Sequence, residues 1–239
     1  FNLRGEKIYK HSYCIIHTMS AREDDFIKYK MPGVAVDVVL FTIKDNDLQV
    51  GLIQRAEEPY SGKFALPGRF VRYEEPIEET ARMALKLKGG INPDVVFLEQ
   101  LYTFGQNLKR DTRIRTISVV YYGLVDSQKI DFQTGSKLIW KSVYKLPPLA
   151  FDHKDVIEYA ISRLRKKVLE SDFAFQLMSE EFTLSELQKA YEIILNKELD
   201  KRNFRKKIME LHILKGLKKQ KMEGAHRPAQ LYSFLRKKK

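Results

Sequence analysis

The chain of 239 residues is 44% hydrophobic and 31% charged, a composition that excludes a disordered, collagen-like or membrane-embedded protein. Its length suffices for one or two domains with their own cores. The formal net charge is +12, and residues 182–239 account for +10 of it, since they contain 16 Lys/Arg and 6 Asp/Glu. A strongly basic part joined to a near-neutral one predicts a polyanionic partner, either a nucleic acid or an anionic membrane surface.

Cysteine usage and hydropathy bear on the cellular compartment. Cys14 is the only cysteine, so no disulfide can form within the chain. No apolar run is as long as a membrane-spanning helix, and the first residues lack the pattern of a signal peptide. We therefore expect a cytoplasmic protein with no membrane partner. We assign no function to an N-terminal extension over residues 1–30.

The next segment predicts strands of a mixed sheet. Residues 34–43 form a β-branched, almost wholly apolar run, which is typical of a strand buried on both faces. After the turn Asp45-Asn46-Asp47, residues 48–55 alternate like a returning strand. Three later segments predict further strands, over residues 95–103, 116–125 and 138–143.

A helix is predicted over residues 76–88, between these strands. Pro76 suits a first turn, Glu78 favours the positive end of the helix dipole, and Lys88 favours the negative end. Gly89-Gly90 is expected to end the helix. Strands interrupted by a helix and irregular loops predict an α/β sandwich.

The order of elements after Pro147-Pro148 predicts a winged helix-turn-helix. Residues 153–169 have helical periodicity, and Thr183 and Glu186 form a capping box that opens a second helix. Asp200 is suited to cap a third, basic helix, which we expect to end at a glycine, Gly216. The apolar stripe of this helix consists of Phe204, Ile208 and Leu211. A hairpin of two strands should follow, over residues 217–222 and 229–235.

The basic helix and the hairpin carry the residues that we expect to contact DNA. Arginine can read guanine through two hydrogen bonds and asparagine can read adenine, while lysine neutralises phosphate. Such contacts fall in the first turns of a recognition helix. The residues predicted to bind DNA are Lys201, Arg202, Asn203, Arg205, Lys206, Lys219, Lys221, His226 and Arg227.

The segment before the predicted helix resembles the Nudix signature. That signature is Gly, five residues, Glu, seven residues, then Arg-Glu-apolar-x-Glu-Glu-x-Gly. Here Gly68, Glu74, Arg82 and Gly89 stand at the matching positions. The resemblance covers about residues 33–150 and implies an α/β/α sandwich with a mixed sheet.

The three glutamates of the Nudix helix are replaced in this chain by Met83, Lys86 and Leu87. In the family those glutamates hold a divalent metal against a diphosphate. Methionine and leucine cannot ligate a hard cation such as Mg²⁺, and a lysine repels it. We therefore expect no bound metal, no cofactor, no catalytic residue and no enzymatic hydrolysis.

Several motifs are similar to those of the Nudix-related transcriptional regulators. The resemblance implies an α+β protein with a Nudix-like effector domain (31–150), a linker helix (151–171) and a winged helix-turn-helix domain (172–239). It also implies a homodimer on a double-stranded DNA operator, with a small effector such as ADP-ribose, another nucleotide or a sugar. The motifs are Tyr102-Thr103-Phe104-Gly105, Arg110-Asp111, Ser118-Val119 and residues 146–153, 182–188, 199–205 and 224–232.

Arginines concentrated in the Nudix-like part indicate where an effector with phosphate groups would bind. Each of them could instead be a surface residue or pair with Glu74, Glu78 or Asp111. The residues predicted to bind the effector are Arg69, Arg72, Glu74, Arg82, Phe104 and Arg110.

Two other functions stay open at this point. The first is a metal-dependent Nudix hydrolase of ADP-ribose or a related nucleoside diphosphate derivative. Its metal would need ligands outside the usual positions, for which Glu74, Glu75, Glu78 and Glu79 are candidates. The second is a binding module that contacts RNA or a protein through the basic region. That region contains few aromatic residues on which the bases of a single strand could stack.

Overall fold

The computed structural model describes residues 31–132, 135–170, 172–222 and 228–235, apart from the side chains of residues 170 and 172. All elements below belong to one compact unit, Gly33–Lys239. The predicted extension over residues 1–30 and the predicted DNA contacts His226 and Arg227 lie outside the described residues.

Seven strands form the first sheet, which is mixed, as the alternation of strands and loops predicts. Their order is β3-β2-β1-β6-β5, with β4 paired to β1 and β7 paired to β2. The β1–β6 pair is parallel, and the other pairs are antiparallel. The strands are β1 (Gly33–Lys44), β2 (Asp47–Gln54), β3 (Phe64–Ala65), β4 (Gly68–Phe70), β5 (Phe97–Phe104), β6 (Thr116–Leu124) and β7 (Ile139–Ser142).

Strand β1 lies at the centre of a sandwich and is buried on both faces, as the apolar run predicts. Seven consecutive residues, from Val36 to Thr42, are buried. Val38 packs into a cluster with Ala81 on one side of the sheet, whereas Val39 packs into a cluster with Ile157 on the other. The two clusters place a helix against each face, as in an α/β/α arrangement.

The helix predicted over residues 76–88 divides into two parts. Helix α1 spans Ile77–Ala84 after Pro76, and a π-helical turn continues over Leu85–Gly89. Gly90 then adopts the left-handed conformation with φ 64°, where a Cβ would lie 2.3 Å from the carbonyl oxygen of Gly135. Glycine is therefore required at the position that ends this helix.

Helix α2 (His153–Glu170) links the sheet to the C-terminal elements. Its buried face, which includes Ile157 and Leu164, belongs to the same hydrophobic cluster as Val39 in the sheet and Leu187 beyond it. The core of the sandwich and the core of the C-terminal part are therefore continuous through α2.

The C-terminal part has the helix, turn, helix and hairpin order that the sequence predicts. Helices α3 (Leu184–Leu195) and α4 (Lys201–Glu210) are followed by β9 (Leu214–Lys221) and β10 (Ala229–Phe234). The β9–β10 hairpin is the wing, and β10 also pairs with β8 (Phe182–Thr183). Short 3₁₀ turns lie at Pro93–Val95, Ser127–Lys129 and Asp172–Leu177.

Both predicted caps are present. The Glu186 N–H donates to Thr183 Oγ1 at 3.1 Å and the Thr183 N–H donates to Glu186 Oε2 at 2.7 Å, which completes the capping box of α3. The Asn203 N–H donates to Asp200 Oδ1 at 2.8 Å at the start of α4. The two helix starts are thus fixed by local side chains.

The predicted end of α4 is wrong. The helix stops at Glu210, and Leu211 is 54% exposed rather than part of the apolar stripe. His212 takes the left-handed conformation with φ 50° and turns the chain into β9, where Gly216 lies opposite Tyr232. The helix therefore ends earlier than its apolar periodicity predicts, at a turn formed by His212 rather than by a glycine.

Candidate functional site

A cavity of about 290 Å³ opens beside β1, where the turn before β4, the loop after β5 and the start of α2 come together. Ligand pockets in proteins typically have volumes from about 300 Å³ upwards. Five basic side chains line this cavity against three carboxylates, those of Asp37, Glu57 and Asp111. The basic side chains are Arg55, Arg69, Lys88, Arg110 and Arg113.

The floor of the cavity is a buried polar network around Asp37, a carboxylate within the apolar run of β1. Asp37 is 8% exposed, and its Oδ2 accepts a hydrogen bond of 2.6 Å from Ser118 on β6. His153 Nδ1 accepts a hydrogen bond of 2.9 Å from the Leu66 N–H, while its Nε2 lies 3.8 Å from Asp37 Oδ1. Burial lowers the pKa of His153, which is therefore neutral.

Gly68, the first glycine of the Nudix-like motif, makes room for this network. A Cβ at residue 68 would lie 2.2 Å from Asp37 Oδ1 and 2.8 Å from the Val36 carbonyl oxygen. Both distances are far shorter than a van der Waals contact. The glycine of the motif is thus needed because β4 passes directly over Asp37.

Arg110 connects the cavity to the residue that precedes α2. It is only 5% exposed, and its Nε and Nη2 donate to the two carboxylate oxygens of Asp152 at 3.0 and 2.8 Å. Its Nη2 also lies 3.6 Å from Asp37 Oδ2. Burial by itself would lower the pKa of Arg110, but the hydrogen bonds to Asp152 and the charge of Asp37 raise it. Arg110 therefore stays charged inside the protein.

Phe151, the residue before Asp152, has strained backbone geometry beside the same cavity. Its φ of 55° lies in the left-handed region that residues with a Cβ rarely adopt. The guanidinium groups of Arg55 and Arg113 lie 4.8 and 5.7 Å from the centre of its ring, and Tyr60 packs edge-on at 5.0 Å. Cation–π contacts of this kind help to hold the ring in place.

The structure places two of the six predicted effector residues, Arg69 and Arg110, in the cavity lining. Arg69 Nη1 donates to Glu75 Oε1 at 2.9 Å. Arg82 pairs with Glu78 at 3.0 Å and lines a different cleft, next to Met83 and Lys86.

The remaining predicted effector residues are Arg72, Glu74 and Phe104. Arg72 and Glu74 are exposed and do not line the cavity. Phe104 packs with Tyr102 and Tyr159, at ring distances of 5.3 and 5.7 Å.

Several cavity residues were not among the sequence predictions. Asp37 had a signal, since it interrupts an apolar run with a charge, and a carboxylate in a buried strand is often functional. Arg55 had none, because it follows β2 outside the Nudix-like motif, whereas Phe151 lies within the motif at residues 146–153 but was not predicted to bind the effector. Among the described residues, no group of three His, Cys, Asp or Glu side chains converges as metal ligands.

The basic face of α4 forms a second candidate site. Phe204 and Ile208 are buried, and the ring of Phe204 packs against Tyr191 of α3 at 5.2 Å. The predicted DNA-binding residues of this helix all lie on its exposed faces. These are Lys201, Arg202, Asn203, Arg205 and Lys206.

The two predicted contacts on the wing are exposed and paired with acidic side chains. Lys219 Nζ lies 2.6 Å from Glu181 Oε1, and Lys221 pairs with Glu186 of the capping box. The pairing orients the lysines of β9 along the same side as the start of α3.

Known proteins match both parts of the chain. Residues 174–234 match the model of the NrtR DNA-binding winged helix domain. The ADPR responsive transcriptional repressor NtrR of Acinetobacter baylyi is 36% identical over 210 residues, which cover 86% of this chain and 83% of that protein. The chain belongs to the Nudix-related transcriptional regulator family. It is a DNA-binding transcriptional regulator, as the sequence predicts.

Solved structures support the same fold for this Nudix-related regulator. Shewanella oneidensis NrtR complexed with a 27mer DNA is 34% identical, with a TM-score of 0.73, over 84% of this chain and 93% of that chain. The NUDIX domain of the same protein, complexed with ADP ribose, is 33% identical with a TM-score of 0.51. The match covers 65% of this chain and 98% of that chain. The α+β fold of a Nudix-like domain followed by a winged helix is thereby confirmed.

An enzyme also matches the Nudix-like part of the regulator. The ADP-ribose pyrophosphatase of Methanocaldococcus jannaschii is 32% identical over 143 residues, which cover 57% of this chain and 79% of that protein. The repressor relative extends over a larger share of the regulator and supports a non-enzymatic role. None of the described helices has both the length and the hydropathy that crossing a bilayer requires.

Proposed function

We propose that this regulator is a repressor that binds a double-stranded DNA operator and releases it when ADP-ribose occupies the cavity beside β1. One observation carries the proposal: the arginine-lined cavity is built on the first residues of α2, the helix that also packs against the winged helix. A ligand in the cavity would therefore contact the helix that packs on α3, and α3 in turn contacts the DNA-binding helix α4. Differential binding to two arrangements of α2 would couple the two sites.

The DNA-binding role is assigned to the exposed face of α4 and to the wing. The buried stripe of α4 fixes which side faces outwards, and the exposed residues of its first two turns include five charged residues and one asparagine. Arg202, Asn203 and Arg205 have the side chains that read base edges in the major groove. Lysines of α4 and of the wing would neutralise phosphates, and the sequence adds His226 and Arg227, which come between β9 and β10 in the chain.

The effector role is assigned to the cavity because its charge suits a diphosphate. Guanidinium groups bind phosphate oxygens through paired hydrogen bonds, and Arg55, Arg69 and Arg113 all line the space. The carboxylates of Glu57 and Asp111 could accept hydrogen bonds from sugar hydroxyls. The name of the Acinetobacter relative and the ADP ribose complex of the Shewanella domain favour ADP-ribose over another nucleotide or a sugar.

The loss of the metal-binding glutamates is the reason that we propose binding without hydrolysis. Lys86 and Leu87 are exposed on the π-helical turn, and Leu87 is 52% exposed. Neither these two side chains nor that of Met83 supplies an anionic oxygen to Mg²⁺. Hydrolysis of a diphosphate would then lack the cation that polarises the phosphoryl group and activates water.

The similarity to an ADP-ribose pyrophosphatase favours hydrolysis as the second candidate function. Its candidate ligands Glu74, Glu78 and Glu79 are exposed, and Glu75 is bound to Arg69. ADP-ribose incubated with the regulator and Mg²⁺ or Mn²⁺ should remain intact at stoichiometric protein concentration. Formation of AMP and ribose 5-phosphate above the protein-free rate would establish the hydrolase instead.

The test of the main proposal is a fluorescence anisotropy titration of the DNA upstream of the regulator's own gene. The regulator should bind this DNA more tightly than a scrambled duplex of equal length, and ADP-ribose should weaken the specific complex. Equal affinity for both duplexes would overturn specific repression. Preference for single-stranded RNA would support the RNA-binding alternative.

We further propose that the regulator acts in the cytoplasm as a homodimer, with the domain borders predicted above. Two copies would present two winged helices to a partly palindromic operator, in which half-sites are spaced by turns of the duplex. Sedimentation of the free protein and of its operator complex tests this, since a dimer requires two chains per operator.

A further inference from the structure

Three arginines of the cavity hold the two residues that immediately precede α2. Arg110 forms two hydrogen bonds to Asp152, and Arg55 and Arg113 lie over the ring of Phe151. These are the groups that a phosphate-bearing ligand would engage. The position and conformation of the start of α2 therefore depend on side chains that the ligand would contact.

The carboxylate of Asp152 has two alternative partners. The Asp152 carbonyl oxygen accepts a hydrogen bond of 3.2 Å from the Val156 N–H, so Asp152 occupies the N-cap position of α2. An aspartate there commonly accepts from the N–H groups of its own helix. Here both carboxylate oxygens accept from Arg110 instead. Release from Arg110 would allow the same carboxylate to cap α2.

The backbone next to this carboxylate is already strained. Phe151 has a φ of 55°, a conformation that costs energy in any residue with a Cβ. The contacts of its ring with Arg55, Arg113 and Tyr60 oppose relaxation of the turn. Removal of the arginines from the ring would weaken those contacts, so the turn is suited to two conformations.

A shift at the start of α2 has a direct route to the DNA-binding helix. The helix is continuous over 18 residues, or about 27 Å. Arg165 Nε donates to the Ile194 carbonyl oxygen at the end of α3 at 2.9 Å, and Tyr144 donates to the neighbouring carbonyl oxygen of Ile193. Helix α3 in turn packs on α4 through Tyr191 and Phe204.

From this geometry we propose that the Arg110–Asp152 pair is the switch between the cavity and the DNA-binding helix. A ligand with a diphosphate draws Arg110 away from Asp152, Asp152 caps α2, and the strained turn at Phe151 relaxes. The start of α2 moves, and the winged helix moves with it. This inference rests on the proposed function, since it assigns the regulation of that cavity.

The test removes the charge of Asp152 and retains its capping ability. Asp152→Asn and Asp152→Ser both keep an N-cap oxygen but cannot form the ion pair with Arg110. Without ligand, each variant should bind the operator about tenfold more weakly than the wild type, and ADP-ribose should weaken that binding less than twofold. By linkage, calorimetry should show that ADP-ribose binds these variants more tightly.

Controls separate this inference from the proposed function. Arg163→Gln removes an exposed arginine that does not line the cavity and should respond to ADP-ribose like the wild type. Inorganic pyrophosphate should weaken wild-type operator binding, whereas ribose should not. If ADP-ribose leaves the wild-type complex intact, the proposed function fails. The switch is overturned if a folded Asp152 variant binds the operator as tightly as the wild type without ligand, and ADP-ribose weakens operator binding of both proteins by the same factor.

Discussion

His153 accepts a hydrogen bond from the backbone N–H of Leu66 through Nδ1 at 2.9 Å, and this bond joins the first residue of α2 to the turn before Gly68. The acceptor nitrogen must be unprotonated, so the proton of the neutral ring resides on Nε2, which faces Asp37. The bond therefore fixes both the tautomer of His153 and the place where α2 meets the Nudix-like motif.

Acid should destabilise the protein through His153. Burial lowers the pKa of His153 below its ordinary value of 6.5. The negative charges of Asp37 and Asp152 oppose this shift, whereas the positive charges of Arg110 and Arg55 add to it. The unfolded chain therefore binds a proton that the folded chain does not, and stability falls as the pH drops below 6.5. The slope from this residue is at most about 1.4 kcal/mol per pH unit.

Urea unfolding at a series of pH values between 7.5 and about 5 measures this slope. His153→Gln, which cannot titrate, should flatten the profile, whereas the exposed His212→Gln should retain it. An unchanged slope in His153→Gln would show that other groups cause the acid sensitivity.

Gly68→Ala should destabilise the protein by about 1–3 kcal/mol, because the new methyl group would overlap Asp37 and the backbone of β1. Gly105→Ala is the matched control, since its Cβ would have its nearest neighbour at 3.6 Å. Chemical denaturation gives both free energies of unfolding. Equal values for the two variants would mean that β4 moves away from Asp37 without cost.

Sequence patterns predicted the elements well wherever burial or a cap controls local structure. The apolar run of β1, the capping box at Thr183 and the cap at Asp200 all lie within short segments, and each was found as expected. Helix α4 ends earlier than predicted because His212 adopts the left-handed conformation. A histidine in the sequence does not predict that conformation as a glycine would.

The cavity was predictable only in part, since it is assembled from separate loops. The motif indicated Arg69, but spacing along a motif does not fix the direction of a side chain. Arg82 points along its own helix to Glu78, and Phe104 packs with other aromatic rings. Arg55 and Phe151 meet only because β2 and the start of α2 are neighbours in the folded chain.

Recognition of the operator should depend on Arg202 and Arg205. Replacement of either residue by alanine should weaken operator binding by about 1–3 kcal/mol if its guanidinium group reads a base. Lys154→Ala, on the exposed side of α2, is the control for loss of one positive charge. Anisotropy titrations against operator and scrambled duplexes separate base reading from phosphate contact, because a phosphate contact weakens both complexes equally.

The capping box at the start of α3 should stabilise the DNA-binding part. Thr183 is 1% exposed and accepts from the Glu186 N–H, so Thr183→Ala removes the side-chain acceptor of that N–H. The expected loss is about 0.5–2 kcal/mol of unfolding free energy. Ser185→Ala, two residues further on and exposed, should cost much less.

Because the core is continuous through α2, loss of this cap should lower the midpoint of a single unfolding transition rather than create a second one. Operator affinity at low temperature should stay within about twofold of the wild type, since Thr183 is buried on β8 and is not one of the predicted DNA contacts. A separate early transition in Thr183→Ala, seen by calorimetry, would show instead that the winged helix unfolds independently of the sandwich.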